Sequence, residues 1–239
     1  MPYVYEYPHP AVTTDVVVFT IREHRLEVLL VERASDPFKG CWALPGGFIG
    51  IDEDLIDAAR RELEEETALS GLYLEQLYTF GKPDRDPRER VISVAWYALV
   101  PLDRLPEPRA ASDAAAVSWF PIDSLPPLAF DHDQILSMAH ERLAAKLEYS
   151  TIALQFMPEK FTLSQLQQVY ETILGESLDK RNFRKRVLSL GCLEETGELL
   201  REGKHRPARL YRVRAPGRVE FIRRNHARGA IAQNTGSES

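Results

Sequence analysis

The chain has little cysteine and no long apolar run. Of its 239 residues only Cys41 and Cys192 are cysteines, far apart and without neighbouring ligand residues. This argues against a disulfide framework and against a cysteine zinc site. No apolar stretch approaches the roughly 20 residues that a helix needs to cross a bilayer, and the start, MPYVYEYPHP, lacks a basic leader with an apolar core. We therefore expect a cytoplasmic protein with reduced thiols and no membrane partner.

Charge is distributed unevenly along the chain. Residues 1–157 carry 14 Lys and Arg against 26 Asp and Glu, whereas residues 158–239 carry 16 against 10. The net charges are therefore −12 and +6. An acidic part with clustered carboxylates is suited to cations, and a basic part is suited to a polyanion such as nucleic acid. The length and the 44% hydrophobic content allow two domains with separate cores.

The acidic part alternates between strand-like and helix-like patterns. Runs rich in β-branched and aromatic residues predict strands at 11–21, 26–33, 75–81, 91–100 and 117–122. Helical spacing of apolar residues predicts helices at 54–67 and 133–148. This order indicates an α+β fold rather than a regular βαβ array.

The basic part has the pattern of two helices followed by a hairpin. Thr162 and Gln165 form a capping-box signature before an apolar helical stripe that Gly175 closes. A second helix is predicted from Asp179 to about Leu190. The hairpin has arms at 192–196 and 209–213, joined by the basic connection REGKHRPA. We predict domains at 1–150 and 151–232, and a disordered tail at 233–239.

Three carboxylates share one side of the first predicted helix. At about 100° per residue, Glu62, Glu65 and Glu66 fall within an arc of about 100°, while Glu64 points the other way. Their mutual repulsion is a cost unless cations neutralise it, and magnesium prefers such hard oxygen ligands. Arg61 lies four residues before Glu65 and can form an ion pair with it. The alternative is a solvated acidic helix face.

Residues 47–69, GFIGIDEDLIDAARRELEEETAL, resemble the Nudix box. The matching positions are Gly47, Glu53, Arg61, Glu62, Leu63, Glu65, Glu66 and Leu69. The resemblance implies a Nudix α/β/α sandwich with a mixed sheet, and hydrolysis of a nucleoside diphosphate derivative assisted by Mg²⁺, with Mn²⁺ as an alternative. It also implies that Glu62, Glu65 and Glu66 are metal ligands, and that Glu53 and Arg61 belong to the catalytic group.

One position departs from the Nudix pattern. Ala68 stands where the box has glycine, and a left-handed conformation costs alanine roughly 1 kcal/mol or more. A helix end at Ser70-Gly71 would avoid that cost and leave the three carboxylates in place. Retained activity is therefore expected.

Flanking segments resemble the ADP-ribose pyrophosphatase branch of this superfamily. They are YEYPHPAVTTDVVVF, ERASDPFKGCWALPGGF and FGKPDRDPRERVISVAW. The resemblance implies cleavage of ADP-ribose to AMP and ribose 5-phosphate. We predict substrate contacts at Gly46, Gly47, Arg85 and Arg88, since guanidinium groups suit a diphosphate. The two arginines could equally belong to a solvated loop. Glu89 and Glu107 are candidates for the general base by location only.

The basic part resembles the winged-helix domain of Nudix-related transcriptional regulators of NAD metabolism. A winged helix places its second helix in the major groove and its hairpin on the adjacent backbone. The resemblance implies duplex DNA and ADP-ribose as partners, and a homodimer. The predicted DNA-binding residues are Arg181, Arg184 and Lys185 in the groove and Lys204, Arg206 and Arg209 in the wing. The alternative is a winged helix that contacts proteins.

Several functions stay open from the sequence. The first is an ADP-ribose hydrolase that also regulates transcription through DNA. The second is a catalytically inactive repressor that senses ADP-ribose, although the three intact carboxylates favour retained catalysis. A third, hydrolysis of oxidised nucleoside triphosphates, uses the same box but gains nothing from a winged helix.

Overall fold

The computed structural model describes residues 6–104, 114–201 and 207–222. Within these ranges a mixed sheet with two flanking helices is followed by a short 3₁₀ helix and a smaller helical domain with its own sheet. The strands are β1 Ala11–Arg22, β2 Arg25–Arg33, β3 Trp42–Ala43, β4 Gly46–Phe48, β5 Tyr73–Phe80, β6 Val91–Leu99, β7 Ala114–Pro121, β8 Phe161–Thr162, β9 Leu193–Leu200 and β10 Ala208–Val213. The helices are α1 Leu55–Thr67, α2 His132–Tyr149, α3 Leu163–Leu174 and α4 Lys180–Ser189, and the 3₁₀ helix is Ile152–Phe156.

The first domain is a mixed sheet between two helices. The strand order is β3-β2-β1-β6-β5, with β4 paired to β1 and β7 to β2, and β1 and β6 are parallel. Because strand side chains alternate, Val16 and Val18 pack with α1 on one face, while Val17 and Phe19 pack with α2 on the other. This arrangement confirms the predicted α/β/α sandwich and α+β class.

Helix α1 ends at the residue that departs from the Nudix pattern. Ala68 is the C-cap with φ 59° and ψ 17°, and its N–H donates to the Glu64 carbonyl at 2.9 Å. The alternative end at Ser70-Gly71 is therefore wrong. The left-handed turn allows Leu69, only 5% exposed, to enter the core beside Leu63. Burying a leucine stabilises by about 1.5–3 kcal/mol, which outweighs the left-handed cost of about 1–2 kcal/mol.

The second domain has the order of a winged helix. Its sheet is β8-β10-β9, and α3 and α4 pack against it. The capping box is confirmed, since the Thr162 hydroxyl accepts from the Gln165 N–H at 3.2 Å and the Gln165 side chain accepts from the Thr162 N–H at 2.7 Å. Gly175 ends α3 in the left-handed region, as its position in the sequence predicted. None of the helices within the described residues is long and apolar enough to cross a bilayer.

The two domains share one continuous hydrophobic core. Leu143 and Leu147 on α2 belong to the same buried cluster as Val169 of α3 and Phe183 of α4. Helix α2 therefore packs on the Nudix sheet with one part of its surface and on the winged-helix domain with another.

Some predicted features lie outside the described residues. They are the base candidate Glu107, the wing residues Lys204 and Arg206, and the disordered tail at 233–239.

Candidate functional site

A glycine pair holds the loop before α1 close to two of the predicted carboxylates. The Gly46 N–H donates to the Glu66 carboxylate at 2.9 Å. A Cβ atom at Gly47 would overlap the Glu62 carboxylate, and one at Gly46 would overlap the Thr14 carbonyl. Gly46 therefore requires glycine, because the atoms it approaches belong to the backbone, whereas a side chain at Gly47 would displace the Glu62 carboxylate. The loop brings Gly46, Gly47, Glu62 and Glu66 together.

Glu62 and Glu66 are held in surroundings that disfavour their negative charge. Burial raises the pKa of Glu66 to about 7, although the Gly46 N–H acts in the opposite direction, and the nearby Glu62 carboxylate raises it further. Burial also raises the pKa of Glu62, with Arg61 opposing the change. Two neighbouring carboxylates that are difficult to ionise are suited to a bound cation, whose charge would favour both ionised forms.

Arg61 forms ion pairs with three acidic residues of the box. Its guanidinium donates to Glu53 at 2.8 and 2.9 Å, to Glu62 at 2.7 Å and to Glu65 at 3.1 Å. The predicted Arg61–Glu65 pair is thus present. Hydrogen bonds from Arg61 and from the Gly50 N–H lower the pKa of Glu53 to about 2. Glu53 therefore stays ionised and holds Arg61 in place, while Arg61 restrains Glu62.

The three predicted metal ligands have different neighbours. Glu66 lines a cavity, Glu62 lies beside Gly47, and the half-exposed Glu65 side chain pairs with Arg61. Across the described ranges, no group of three or more His, Cys, Asp or Glu side chains is assembled to hold a metal ion. The oxygen chemistry and the raised pKa values of Glu62 and Glu66 fit a hard divalent cation. Glu62 and Glu65 would both have to loosen their ion pairs with Arg61 to bind the cation.

The cavity beside Glu66 lies between α1, the central strands and the start of α2. Its lining includes Asp15, Glu66, Arg85, Arg88, Phe130 and His132, together with Gly46 and Gly47. The lining carries both carboxylates and guanidinium groups. The cavity can therefore offer a cation site and an anion site to the same ligand.

The two arginines predicted to contact substrate differ in how far they are already engaged. Arg85 is buried, and it donates to Asp131 at 3.0 and 2.6 Å and to Asp15 at 3.4 Å. Arg88 is held by Asp86 at 3.0 and 2.7 Å, but its side chain is 40% exposed. Arg88 is thus the more accessible to a ligand, whereas Arg85 is also part of an internal ion-pair network.

Aromatic rings support the accessible arginine. The Arg88 guanidinium carbon lies 5.4 Å from the ring centre of Phe48 and 5.7 Å from that of Phe130. Phe130 also lies beneath Arg33, at 4.8 Å. Cation–π contacts of this kind restrain a guanidinium without using its N–H donors. Neither ring was singled out from the sequence.

Asp15 and His132 were also missed in the sequence. The Leu44 N–H donates to His132 Nδ1 at 2.9 Å, and His132 Nε2 lies 3.5 Å from Asp15. Burial lowers the pKa of His132, so the ring is neutral with its proton on Nε2, facing Asp15. Asp15 also accepts from Ser93 Oγ and from Arg85. A charged residue within the apolar strand AVTTDVVVFTI was the available signal.

The base candidate Glu89 is exposed in the loop beside Arg88. That loop position does not place it among the residues that line the cavity. Of the two loop carboxylates considered, it is the only one within the described ranges.

The predicted groove residues lie on the surface of α4. Phe183 and Val187 are buried, and Arg181 and Lys185 project from the opposite side at helical spacing. Arg184 is also exposed, with one long contact of 3.4 Å to the Ser164 hydroxyl. In the wing, Arg209 is exposed and donates to Glu195 at 3.0 Å. Helix α4 thus presents a basic outer surface.

Comparison with known proteins identifies both parts of the chain. Residues 10–139 match the NUDIX domain family, and residues 153–213 match the NrtR DNA-binding winged helix domain family. An ADPR-responsive transcriptional repressor from Acinetobacter baylyi is 38% identical over 211 residues, which cover 87% of this chain and 83% of the repressor. An ADP-ribose pyrophosphatase from Methanocaldococcus jannaschii is 41% identical over 130 residues, 54% of this chain and 73% of the enzyme.

A solved structure shows the same architecture. Shewanella oneidensis NrtR in complex with a 27mer DNA superposes with a TM-score of 0.75 at 39% identity, covering 84% of this chain and 93% of that one. The match extends over the sandwich and the winged helix together, so it concerns the domain combination as well as each fold. This chain therefore belongs to the Nudix superfamily, in the NrtR-like group that joins a Nudix domain to a DNA-binding winged helix.

Proposed function

We propose that this protein hydrolyses ADP-ribose with Mg²⁺ and regulates transcription by binding duplex DNA in response to that nucleotide. The observation that carries the hydrolase part is the Glu62–Glu66 pair, held against Gly46-Gly47 beside a cavity that Glu66 and Arg88 both line. The names of the Acinetobacter and Methanocaldococcus relatives support ADP-ribose as the ligand. The proposal assigns AMP and ribose 5-phosphate as products.

In this proposal the acidic residues of α1 bind the cation and the arginines bind the diphosphate. Nudix hydrolases generally use divalent cations, and Mg²⁺ would neutralise charge on the phosphate oxygens and assist deprotonation of the attacking water. Glu62, Glu65 and Glu66 are its proposed ligands, and one of them accepts the proton. Arg88 contacts a phosphate oxygen from its aromatic support. Glu53 acts through Arg61 as a positioning residue.

The regulatory part is proposed for residues from about 151 to 232, with the Nudix domain ending near residue 150. Helix α4 would enter the major groove with Arg181, Arg184 and Lys185, and the wing would contact the backbone. A homodimer would present two such helices to a two-fold operator. A cytoplasmic location is part of the same proposal.

The hydrolase proposal is tested by product analysis with a matched pair of variants. The full-length protein is incubated with Mg²⁺ and ADP-ribose, NAD, NADH or nucleoside triphosphates, and the products are identified by mass. Glu66→Gln keeps the size of the side chain but removes one charge at the cavity, so most turnover should be lost. Glu64→Gln, on the exposed side of α1, should leave turnover unchanged. ADP-ribose binding without turnover in the unaltered protein would favour the catalytically inactive repressor instead.

A further inference from the structure

Within the described residues, α2 is the one helix with one end at the cavity proposed to bind the nucleotide and the other end at α4. We call α4 the DNA-reading helix because it is proposed to enter the major groove. Helix α2 begins at His132, which lines the cavity, and ends at Tyr149, next to α4. With 18 residues it is about 27 Å long. A helix of this length, packed along its sides, moves as a rigid body.

At the cavity end, α2 is attached through its N-cap residue. Asp131 occupies the N-cap position, yet its side chain makes no capping hydrogen bond to the helix. The carboxylate instead accepts hydrogen bonds from two nitrogens of Arg85, a residue that lines the cavity. The next residue, His132, holds the Leu44 N–H close to the Gly46-Gly47 loop. The first turn of α2 is therefore tied to two walls of the cavity.

At the other end, α2 is attached to the DNA-reading helix by one arginine. Arg186 of α4 donates to the carbonyls of Leu147 at 3.0 Å and Glu148 at 2.9 Å. These are terminal carbonyls of α2 that lack partners within the helix, and a cation is favourable there because of the helix dipole. Arg186 projects from a flank of α4, away from the side that carries Arg181 and Lys185. It can hold α2 while those residues remain free for DNA.

The final described segment reinforces the same junction. The Thr151 N–H donates to the Glu220 carbonyl at 3.0 Å, and the Ile222 N–H donates to the Tyr149 carbonyl at 2.7 Å. Phe221 stacks on Tyr149 with ring centres 6.2 Å apart. This segment follows the residues that match the winged-helix family and returns to the end of α2. These contacts and the shared core together restrict movement of the second domain relative to α2.

We propose that α2 is the rigid link through which nucleotide binding changes DNA affinity, and that Arg186 is the positioning residue that ties the DNA-reading helix to it. This inference rests on the proposed function, since it requires that both ligands bind. A diphosphate in the cavity draws on the Arg85 guanidinium that holds Asp131. The first turn of α2 then shifts, and α4 follows because Arg186 and the common core join it to the last turn. The coupling is reciprocal between the two ligands.

The main test measures DNA affinity with and without nucleotide in the full-length protein. The probes are the non-hydrolysable α,β-methylene analogue of ADP-ribose and a labelled duplex selected by this protein from a random-sequence library. In the unaltered protein the analogue should change DNA affinity by roughly 5-fold to 150-fold, as is usual for allosteric coupling. In Arg186→Gln the ratio should fall below about 2-fold. Analogue affinity, measured without DNA, should stay within about 2-fold of the unaltered protein because the cavity is untouched.

Two further variants separate coupling from general damage. Arg186→Lys retains a cation that can reach the α2 carbonyls, so it should restore part of the ratio. Arg142→Gln changes an arginine of α2 that has no hydrogen bond or ion pair with described residues, and its ratio should match that of the unaltered protein. An Arg186→Gln protein with the full ratio would overturn the rigid link and leave the proposed function intact. Failure of the unaltered protein to bind analogue or duplex would overturn the proposed function itself.

Amide hydrogen exchange on the unaltered protein gives a test that needs no variant. Without DNA, the analogue should change exchange at the cavity, at the last turn of α2 and in α4. Protection confined to the cavity, with α4 unchanged, would overturn the proposal even if Arg186→Gln failed to fold.

Discussion

The ion pair between Lys146 and Glu75 offers a sharp test of how α2 is held on the sheet. Lys146 Nζ lies 2.6 Å from a Glu75 carboxylate oxygen and 3.3 Å from the Tyr97 hydroxyl. The Lys146 side chain is 4% exposed and that of Glu75 is 29% exposed. Lys146→Met removes the cation and leaves the partly buried Glu75 carboxylate without a partner of opposite charge.

The magnitude follows from this burial. Removing one partner of a fully buried pair costs about 3–5 kcal/mol, and the partial exposure of Glu75 reduces this to about 2–3 kcal/mol. At about 2–4 °C per kcal/mol, the melting temperature should fall by roughly 4–12 °C. The measurements are urea unfolding for the free energy and thermal unfolding for the melting temperature, both followed by circular dichroism. The double variant Lys146→Met/Glu75→Gln should recover more than half of the loss, because the unpaired charge is gone.

The matched control is Lys82→Met. Lys82 pairs with Asp84, but its side chain is 68% exposed, so the loss should stay below about 0.5 kcal/mol. A Lys146→Met loss below about 1 kcal/mol, or no recovery in the double variant, would refute the buried-pair argument.

The same pair predicts a pH dependence. Burial alone would raise the pKa of Glu75, but hydrogen bonds from Lys146 and the tyrosine hydroxyls lower it below 4.5. A lowered carboxylate pKa contributes stability above the unfolded value, and that contribution is lost as pH falls through the folded value. The difference in unfolding free energy between the unaltered protein and Lys146→Met should therefore shrink below about pH 4.5. A difference that is constant with pH would contradict the assignment.

Three further predictions concern the end of α1, the loop before α1 and the wing. Ala68→Gly should raise the free energy of unfolding in urea by about 0.5–1 kcal/mol, because it relieves the left-handed strain. The greater entropy of the unfolded chain with glycine offsets part of that gain. A destabilised variant would argue against the strain. Gly47→Ala should lower Mg²⁺-dependent turnover by roughly tenfold or more, since the new Cβ displaces Glu62. Gly81→Ala is the control and should leave turnover unchanged, because its Cβ would have no neighbour closer than 3.9 Å. Arg209→Ala should reduce the slope of log DNA affinity against log salt by about 0.9, because the wing is proposed to contact the phosphate backbone, and an unchanged slope would remove Arg209 from those contacts.

Local patterns in the sequence determined the elements and the chemistry of α1. The β-branched runs of β1 and β2, the Thr162–Gln165 capping box and the Arg61–Glu65 spacing each depend on residues a few positions apart, and each predicted feature was confirmed. The end of α1 shows the limit of such reasoning. Local propensity disfavoured the left-handed Ala68, but burial of Leu69 in the sheet core is a tertiary contribution that the local pattern does not contain.

Only the tertiary structure decided what surrounds those elements. Arg85 looked like an open ligand group, yet packing brings it to Asp131, 46 residues later, and to Asp15, 70 residues earlier. Likewise, the spacing of basic residues in α4 does not distinguish Arg186, which reaches the end of α2, from its neighbours that face outward. The physical reason is that helical period determines which side chains share a face, whereas the partner of that face is determined by how distant segments pack into one core.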